Sequence, residues 1–264
     1  MGRVIVLTSG KGGVGKSTST ANLGTALAML GRKTIVVDAD VGLRNLDIIM
    51  GLESRVVYTS MDVIDGTCDI AKAMVKDRRV ENLALLAASQ KNNKNDIQPE
   101  QMKKICAELK EEFDYVLIDS PAGIEQGFHN AAVGADEALI VTTPEVAAVR
   151  DADRIIGLLQ NMGIEDMSLI LNRLSPQMVK AGDMMTQQDV IEILAIDLIG
   201  VIPEDMEIVV STNRGLPLTQ GQGSIAGAAF KRVAQRLEGQ EVPIPEFKAE
   251  NWFEQLVNKL FNWG

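Results

Sequence analysis

The sequence predicts an α/β fold in which a mostly parallel, doubly wound sheet carries helices on both faces. Two observations predict this class. Short runs rich in Val, Ile and Leu alternate with longer segments of helical spacing, a pattern typical of parallel strands buried on both faces. A glycine-rich phosphate-binding motif also stands between the first strand-like run and the first helix-like segment, which is its required context. Together they indicate a P-loop NTPase fold.

The elements follow one another along a single domain that we expect to span residues 1–240. The predicted strands are 3–9, 34–40, 83–89, 115–121, 137–143, 167–173 and 196–202. The predicted long helices are 16–30, 99–112, 145–161 and 224–237. An apolar share of 46% over 264 residues supports a sizeable core. The proline-containing stretch 241–250 is predicted to be a linker, and 251–264 a separate C-terminal amphipathic helix.

Composition narrows the function classes. The net charge is −10, from 36 acidic and 26 basic side chains, and an acidic surface repels a phosphate backbone, so we expect no nucleic-acid partner. Two cysteines form no disulfide framework and favour a reducing cytoplasm. The first residues do not resemble a signal peptide, and no apolar run approaches the roughly 18 residues of a spanning helix. We therefore expect a soluble or peripheral membrane protein.

The phosphate-binding motif covers Gly10, Lys11, Gly12, Gly13, Val14, Gly15, Lys16 and Ser17. Its glycines permit positive φ angles, so successive backbone amides can converge on phosphate oxygens. The helix that begins near Lys16 adds the positive end of its dipole. We expect Lys16 to neutralise the β- and γ-phosphates, Ser17 to ligate Mg²⁺, and Thr18 to bond the α-phosphate.

Carboxylates follow two of the predicted strands. Asp119 ends the run 115–119, at the sheet edge where ligands of open α/β folds bind, and is expected to hold Mg²⁺ through water. Asp38, Asp40 and Asp47 form a second acidic group after the second strand. Asp38 and Asp40 are two residues apart and share a side in extended chain, whereas Asp47 is expected to cap the following helix.

One further motif resembles a base reader. Residues 93–96 match the N-K-x-D element that recognises guanine in GTPases. That element ends a buried strand after the metal-binding switch, but here it lies in a polar stretch before Asp119. A solvated loop is the favoured interpretation.

Lys11 adds a second lysine to the phosphate loop, directly after its first glycine. Because of this lysine the chain resembles the deviant Walker A (MinD/ParA) family of P-loop ATPases. The segments 37–53, 117–127, 143–155 and 200–205 are similar to the branch that positions the bacterial or plastid division site. The resemblance covers nearly the whole chain and implies a slow, partner-stimulated ATPase that forms a homodimer when ATP is bound.

The resemblance also implies a role for individual residues. Lys11 would contact the phosphates of the opposite subunit, Asp40 would position the attacking water, and Asp38 would support the metal. Asp119 and Gly123 would belong to the second switch. A MinC-like inhibitor or a MinE-like activator would bind the partner surface, and adenine would bind a separate set of residues. The partner surface would contain Arg44, Asp151 and Asp153; the adenine set would contain Asn172, Pro203 and Asp205.

The C-terminal segment has an apolar face at helical spacing, formed by Trp252, Phe253, Leu256, Val257, Leu260, Phe261 and Trp263. A 13-residue helix is about 20 Å long, too short to cross a bilayer. We expect it to lie in the membrane interface, at the cytoplasmic face of the inner membrane or the stromal face in a plastid. Docking on its own domain or on another subunit is the alternative.

Three functions are compatible with these features. The leading hypothesis is an ATP-driven membrane switch that recruits a division inhibitor. The second, a ParA-like partition ATPase, would need a basic surface and no amphipathic tail, and the net charge of −10 and residues 251–263 both oppose it. A flagellar-placement relative of the leading hypothesis shares most of the motifs. A nucleotide-locked scaffold with negligible turnover is the third.

Overall fold

A computed structural model describes residues 2–42, 44–90 and 97–246. In this part of the chain the strands form one sheet with the order β3-β4-β2-β5-β1-β6-β7-β8. All neighbours pair in parallel except β3, which is antiparallel to β4. The strands are β1 Arg3–Thr8, β2 Thr34–Asp38, β3 Val75–Lys76, β4 Leu83–Leu86, β5 Tyr115–Asp119, β6 Glu137–Thr142, β7 Met167–Leu174 and β8 Asp197–Pro203.

Every strand predicted from the apolar runs is present, and the predicted fold class is confirmed. The central strands β2, β4 and β5 are buried at every position, because helices cover both faces. Several strands end sooner than predicted; β2 ends at Asp38, so Asp40 lies in the loop after it. The two-residue strand β3 was not predicted, since so short an edge strand has no periodicity to detect.

The four predicted long helices are confirmed as α1, α5, α7 and α11, and shorter helices lie between them. A Gln98–Gln101 capping box and Pro99 fix the start of α5, and the Ser224 side chain caps α11. The helices are α1 Lys16–Met29, α2 Leu46–Ile49, α3 Ser60–Ile64, α4 Ile70–Ala73, α5 Pro99–Glu112, α6 Gln126–Ala132, α7 Val146–Asn161, α8 Pro176–Ala181, α9 Gln187–Leu194, α10 Glu207–Asn213 and α11 Ile225–Leu237.

The topology places the candidate site at the carboxyl edge of the sheet. Strand β1 lies between β5 and β6, and β2 pairs with β5. Their last residues therefore come together, and Asp38 of β2 is the register partner of Asp119 of β5. Helix α1 packs closely on this region, since a Cβ added at Gly24 would lie 2.5 Å from the Val36 side chain. The strand order reverses beside β1, which is where ligands bind in such sheets.

The start of the predicted linker is attached to the domain. The Arg236 guanidinium donates to the carbonyls of Val242 and Pro243, both at 2.7 Å, and to Ile199 at 2.8 Å. Ile244 packs against the core. The chain is therefore held as far as residue 244, beyond the predicted domain end. The predicted amphipathic helix 251–264, with all its proposed membrane residues, lies outside the described residues. None of the described helices is long and apolar enough to cross a bilayer.

Candidate nucleotide-binding site

The phosphate loop joins the end of β1 to the start of α1. Gly13 and Gly15 have φ angles of 80° and 95°, a left-handed conformation that favours glycine. A Cβ at Gly10 would overlap the backbone of Asp151 in α7, whereas one at Gly13 would meet open space. Lys11, Gly12 and Gly13 are exposed. Different glycines are thus required for different reasons, and the outer loop backbone remains open to a ligand.

Lys16 is buried and pairs with Asp119. Its ammonium nitrogen lies 3.0 Å from Asp119 Oδ1. The Thr20 hydroxyl, one helical turn further along α1, donates to the same carboxylate oxygen at 3.2 Å. Lys16 therefore sits at the mouth of the glycine loop with one carboxylate partner, and a bound polyphosphate would give it a second.

Asp38 and Asp119 place two carboxylates side by side in the sheet. Asp38 is buried, and its oxygens accept from the backbone amides of Asp40 at 2.9 Å and Leu46 at 3.3 Å. Burial, together with the negative charge of Asp119, raises the pKa of Asp38 to about 7. This donor set fits a divalent cation, whose charge would favour the ionised form of Asp38. Ser17, in the first turn of α1, is half-buried on the same edge.

The described residues contain no group of three or more His, Cys, Asp or Glu side chains that could hold a metal ion alone. Mg²⁺ is typically held by one or two carboxylates together with substrate phosphates and water, without an all-protein cage. The two carboxylates and the Ser17 hydroxyl therefore suit a cation that arrives with a nucleotide.

The predicted adenine residues divide into two kinds. The buried Asn172 amide donates to the Val14 carbonyl at 2.7 Å, and its Oδ1 finds no hydrogen-bond donor among the described residues. Pro203 ends the neighbouring strand β8. The Asp205 carboxylate, in contrast, accepts from three protein donors: Glu207 N, Ser224 Oγ and Ala226 N. Asp205 thus joins the starts of α10 and α11, which leaves Asn172 as the side chain with a vacant acceptor.

Comparison with known proteins identifies the family. The ParA model, described as NUBPL iron-transfer P-loop NTPase, matches residues 1–238. The septum site-determining protein MinD of a Synechocystis strain is 53% identical over 98% of this chain and 97% of its own. The MinC:MinD cell division complex of Aquifex aeolicus contains a chain that is 47% identical, with a TM-score of 0.87 over 93% of this chain and 99% of that one. MinD complexed with Mg-ADP from Pyrococcus horikoshii is 31% identical, with a TM-score of 0.82 over 90% and 96%.

The chain belongs to the MinD family of septum site-determining ATPases. The predicted family is confirmed, and with it the general function of a P-loop ATPase that positions the division site.

The lysine that distinguishes this family from other P-loop proteins lies at the surface. Lys11 Nζ is 3.6 Å from Glu145 Oε2, and these side chains are 48% and 59% exposed. Ile124 and Val146, large apolar residues on either side of the loop, are 50% and 71% exposed. The Gly123 amide donates to the Ser9 carbonyl at 3.1 Å, which holds the segment after β5 against the phosphate loop. Lys11 thus stands on an open face with exposed apolar groups.

The residues expected to bind partner proteins are not equally accessible. Asp153 of α7 is exposed, and Asp151 is half-buried beside the phosphate loop. The Arg44 side chain is largely buried and forms an ion pair with Asp47 at 2.6 Å. The prediction that Asp47 caps the following helix was wrong: Asn45 is the N-cap of α2, and Asp47 lies in the first turn, where its carboxylate binds Arg44 and the Ile48 amide. Arg44 therefore has a structural role, because its ion pair with Asp47 holds the segment that follows Asp40.

Two contacts at this site were not predicted from the sequence. Thr20 follows Lys16 by four residues, so helical spacing could have placed both on one face toward Asp119. Glu145 carries no local signal, because only the packing of α7 beside the loop brings it to Lys11. The N-K-x-D stretch 93–96 lies outside the described residues.

Proposed function

We propose that this chain is an ATP-dependent, dimerising membrane switch that positions the division site and recruits a division inhibitor. The observation that carries the proposal is the buried Lys16–Asp119 pair at the mouth of the glycine loop, 3.0 Å apart. Burial of two charges costs desolvation free energy that their attraction only partly repays, so such a pair is weak evidence for a role in stability alone. Here the lysine faces the open loop backbone, where a polyphosphate can compete for it.

The described residues fit a nucleotide with Mg²⁺. Gly10–Ser17 and Thr18 would hold the phosphates, and Ser17, Asp38 and Asp119 would surround the cation. When bound, the cation neutralises charge that develops on the phosphates. The unpaired Oδ1 of Asn172 would accept a hydrogen bond from the amino group of adenine. Guanine carries an acceptor at the corresponding position, so this side chain favours ATP over GTP.

Turnover and dimerisation depend on residues at the edge of the loop. Asp40 follows Asp38 by two residues and would orient the attacking water. Lys11, half-exposed beside Ile124 and Val146, would reach the phosphates of a second copy of the chain. Burial of these apolar side chains between two copies would favour the dimer.

Membrane binding is proposed from the sequence of residues 251–264. One tail with an aromatic face and almost no net charge would bind a bilayer marginally, because interfacial burial is partial and helix ordering costs entropy. Two tails on one dimer bind far better through effective concentration. ATP would thus bring the protein to the cytoplasmic face of the membrane, or the stromal face in a plastid, and hydrolysis would release it.

Partner proteins are proposed from the family. A MinC-like inhibitor is supported by the Aquifex complex, whose MinD chain is 47% identical to this one. A MinE-like activator of hydrolysis is the second proposed partner. The surface that would receive them contains the exposed Asp153 and the half-buried Asp151 and Arg44. The partition and flagellar alternatives are less well supported by the relatives found and by the net charge of −10.

Sedimentation with anionic liposomes tests the switch. We expect binding with ATP, little with ADP, and only weak dependence on salt, since Glu254 and Lys259 cancel each other's charge. A Trp252→Glu, Leu256→Glu variant should still dimerise with ATP but remain in the supernatant. Equal binding with ATP and ADP, or full binding after removal of 251–264, would contradict the proposal.

Competition binding tests the base. ATP should bind at least about tenfold more tightly than GTP, and Asn172→Ala should narrow this preference. Equal affinities in the unmodified protein would instead favour residues 93–96 as a base reader.

A further inference from the structure

An ion pair in the β3–β4 turn, between the buried Asp77 and the Arg79 side chain that is 34% exposed, lies apart from the residues discussed so far. Asp77 is buried, and its carboxylate receives both Nε and a terminal nitrogen of Arg79 at 3.2 and 2.9 Å. This bidentate pairing fixes the plane of the guanidinium. The remaining donors point away from Asp77 toward two backbone carbonyls. Arg79 donates to Gly215 O at 2.9 Å and also to Met50 O.

The two carbonyls belong to segments that touch through glycine backbone. Gly51 follows Met50, and both Gly51 and Gly215 have a φ of 61°. A Cβ at Gly51 would lie 2.5 Å from Gly215 O, and a Cβ at Gly215 would lie 2.6 Å from Gly51 Cα. Real Cβ atoms do not approach so closely, so only glycine permits this contact at either position. Arg79 thus bridges a junction with no room for side chains.

The junction connects opposite sides of the nucleotide site. On one side, Asp38 accepts from Leu46 N, the first residue of α2, and the Asp40 loop lies between them. Helix α2 ends next to Met50, where Arg79 binds. On the other side, β8 and Pro203 lead through α10 to Gly215. No residue of α10 is fully buried, so its position depends on the packing of the half-buried Ile208 against the core and on contacts at its ends.

We propose that Arg79 is a positioning residue for ATP hydrolysis, which holds the Asp40 loop and α10 in a fixed relation by clamping the Met50 and Gly215 carbonyls. The inference rests on the proposed role of Asp40. Arg79 touches neither phosphate nor base; it acts through α2, whose first amide is bound to Asp38. Orientation of an attacking water is sensitive to displacements of about 1 Å. The phosphate loop lies on other elements and does not depend on this clamp.

The test compares Arg79→Ala with Arg78→Ala, which removes the same charge from an exposed side chain in the same turn. We expect Arg79→Ala to lower kcat per folded molecule at least about tenfold, while the Kd for ATP changes less than about threefold. Arg78→Ala should change neither. Arg79→Lys should recover only part of kcat, because an ammonium lacks the planar fork that reaches Asp77 and both carbonyls. Millimolar methylguanidinium should raise kcat of Arg79→Ala and have no effect on Arg78→Ala.

A second pair of variants breaks the junction without touching Arg79. Gly215→Ala introduces the clash with Gly51, and Gly66→Ala is its control, since Gly66 has a φ of 71° and nothing near its Cβ. Both carry the strain of a positive φ angle. Only Gly215→Ala should lower kcat, and methylguanidinium should not restore it.

The outcomes separate this inference from the proposed function. If Asp40→Ala keeps its turnover, the role of Asp40 fails and the inference fails with it. If Asp40→Ala loses turnover but Arg79→Ala and Gly215→Ala match their controls in kcat, the clamp alone is refuted. A lower melting temperature with unchanged kcat would make Arg79 a structural residue only, and would also refute it.

Discussion

The carboxyl edge and the amino edge of the sheet differ in how completely their polar side chains are paired. At the carboxyl edge, Asp38 and Asp119 are adjacent carboxylates of which only Asp119 pairs with the buried Lys16, and Asn172 Oδ1 has no donor among the described residues. At the amino edge, Arg3 pairs with Glu137 through two hydrogen bonds of 2.7 and 2.5 Å. The carboxyl edge therefore has polar groups without protein partners, whereas the charged groups at the amino edge are paired with each other.

The amino-edge network also attaches the last described helix to the sheet. Arg3 lies over the Tyr115 ring and donates to its hydroxyl at 3.0 Å and to Leu237 O at 2.6 Å. The Tyr115 hydroxyl donates to Glu238 at 2.6 Å, and Glu238 also binds Arg32. The end of α11 is thereby fastened to β1 and β5.

This difference indicates that the carboxyl edge is the one that binds a ligand. A fully paired network has little to gain from a ligand, whereas unpaired buried groups cost free energy until something satisfies them. We therefore expect the carboxyl edge to determine the binding of nucleotide and cation, and the amino edge to contribute only to the free energy of unfolding. Substitutions at the carboxyl edge should therefore change ATP binding or turnover, and substitutions at the amino edge should change stability.

Lys16→Ala should have the largest effect. Removal of the buried ammonium should weaken ATP binding by more than about 100-fold, because loss of one partner from a buried charge pair costs roughly 2–5 kcal/mol. Equilibrium dialysis measures the affinity. Lys33→Ala, an exposed lysine at the amino edge, is the matched control and should bind normally. Unchanged ATP affinity in Lys16→Ala would mean that the phosphate site is misassigned.

Asp40→Ala should come next. A carboxylate that orients water acts mainly in the transition state, so kcat should fall about 100-fold while ATP still binds and traps the dimer. Phosphate release and light scattering measure the two properties. Asp183→Ala, an exposed carboxylate far along the chain, serves as control. A dimer that hydrolyses ATP at the normal rate would rule out this role.

Arg3→Ala should affect stability alone. It leaves Glu137 without its bidentate partner and removes the hydrogen bond to Leu237 O. The free energy of unfolding, measured in urea, should therefore fall by about 2 kcal/mol. The Kd for ATP should stay within about twofold of the unmodified protein when measured on folded protein. A large loss of ATP affinity would show that the edges are coupled and that the contrast is false.

Tyr115→Phe should show the smallest effect, and the size of this effect should depend on pH. Burial, with the hydrogen bond to Glu238, raises the pKa of Tyr115 to about 12, above its value of about 10 in an unfolded chain. The folded state then holds the phenol proton more tightly than the unfolded chain does. The contribution of Tyr115 to folding stability is therefore fully present below pH 10 and is lost as pH rises toward 12. The stability advantage of unmodified protein over Tyr115→Phe should shrink by about 1 kcal/mol between pH 9 and pH 11. Urea titrations at both pH values measure it; a constant difference would contradict the assigned shift.

Much of the fold was predictable because its signals are local. Buried parallel strands appear as apolar runs, and the glycine loop has a fixed spacing between a strand and a helix. The two-residue strand β3 and the short helices were not predictable, since a few residues carry no periodicity. The predicted extended path through Asp40 was also wrong, because β2 ends at Asp38 and the Asp40 amide turns back to its carboxylate.

The family, the fold class and the phosphate-loop residues were predictable from the sequence alone, since they depend on residue types at fixed spacing along the chain. Only the tertiary structure decided which charges pair: Lys16 with Asp119 across 103 positions, and Arg79 with Gly215 across 136. It also decided that the Asp205 carboxylate joins two helices and that the largely buried Arg44 side chain pairs with Asp47. The physical reason is that a hydrogen bond depends on distance and direction in space, and packing sets both.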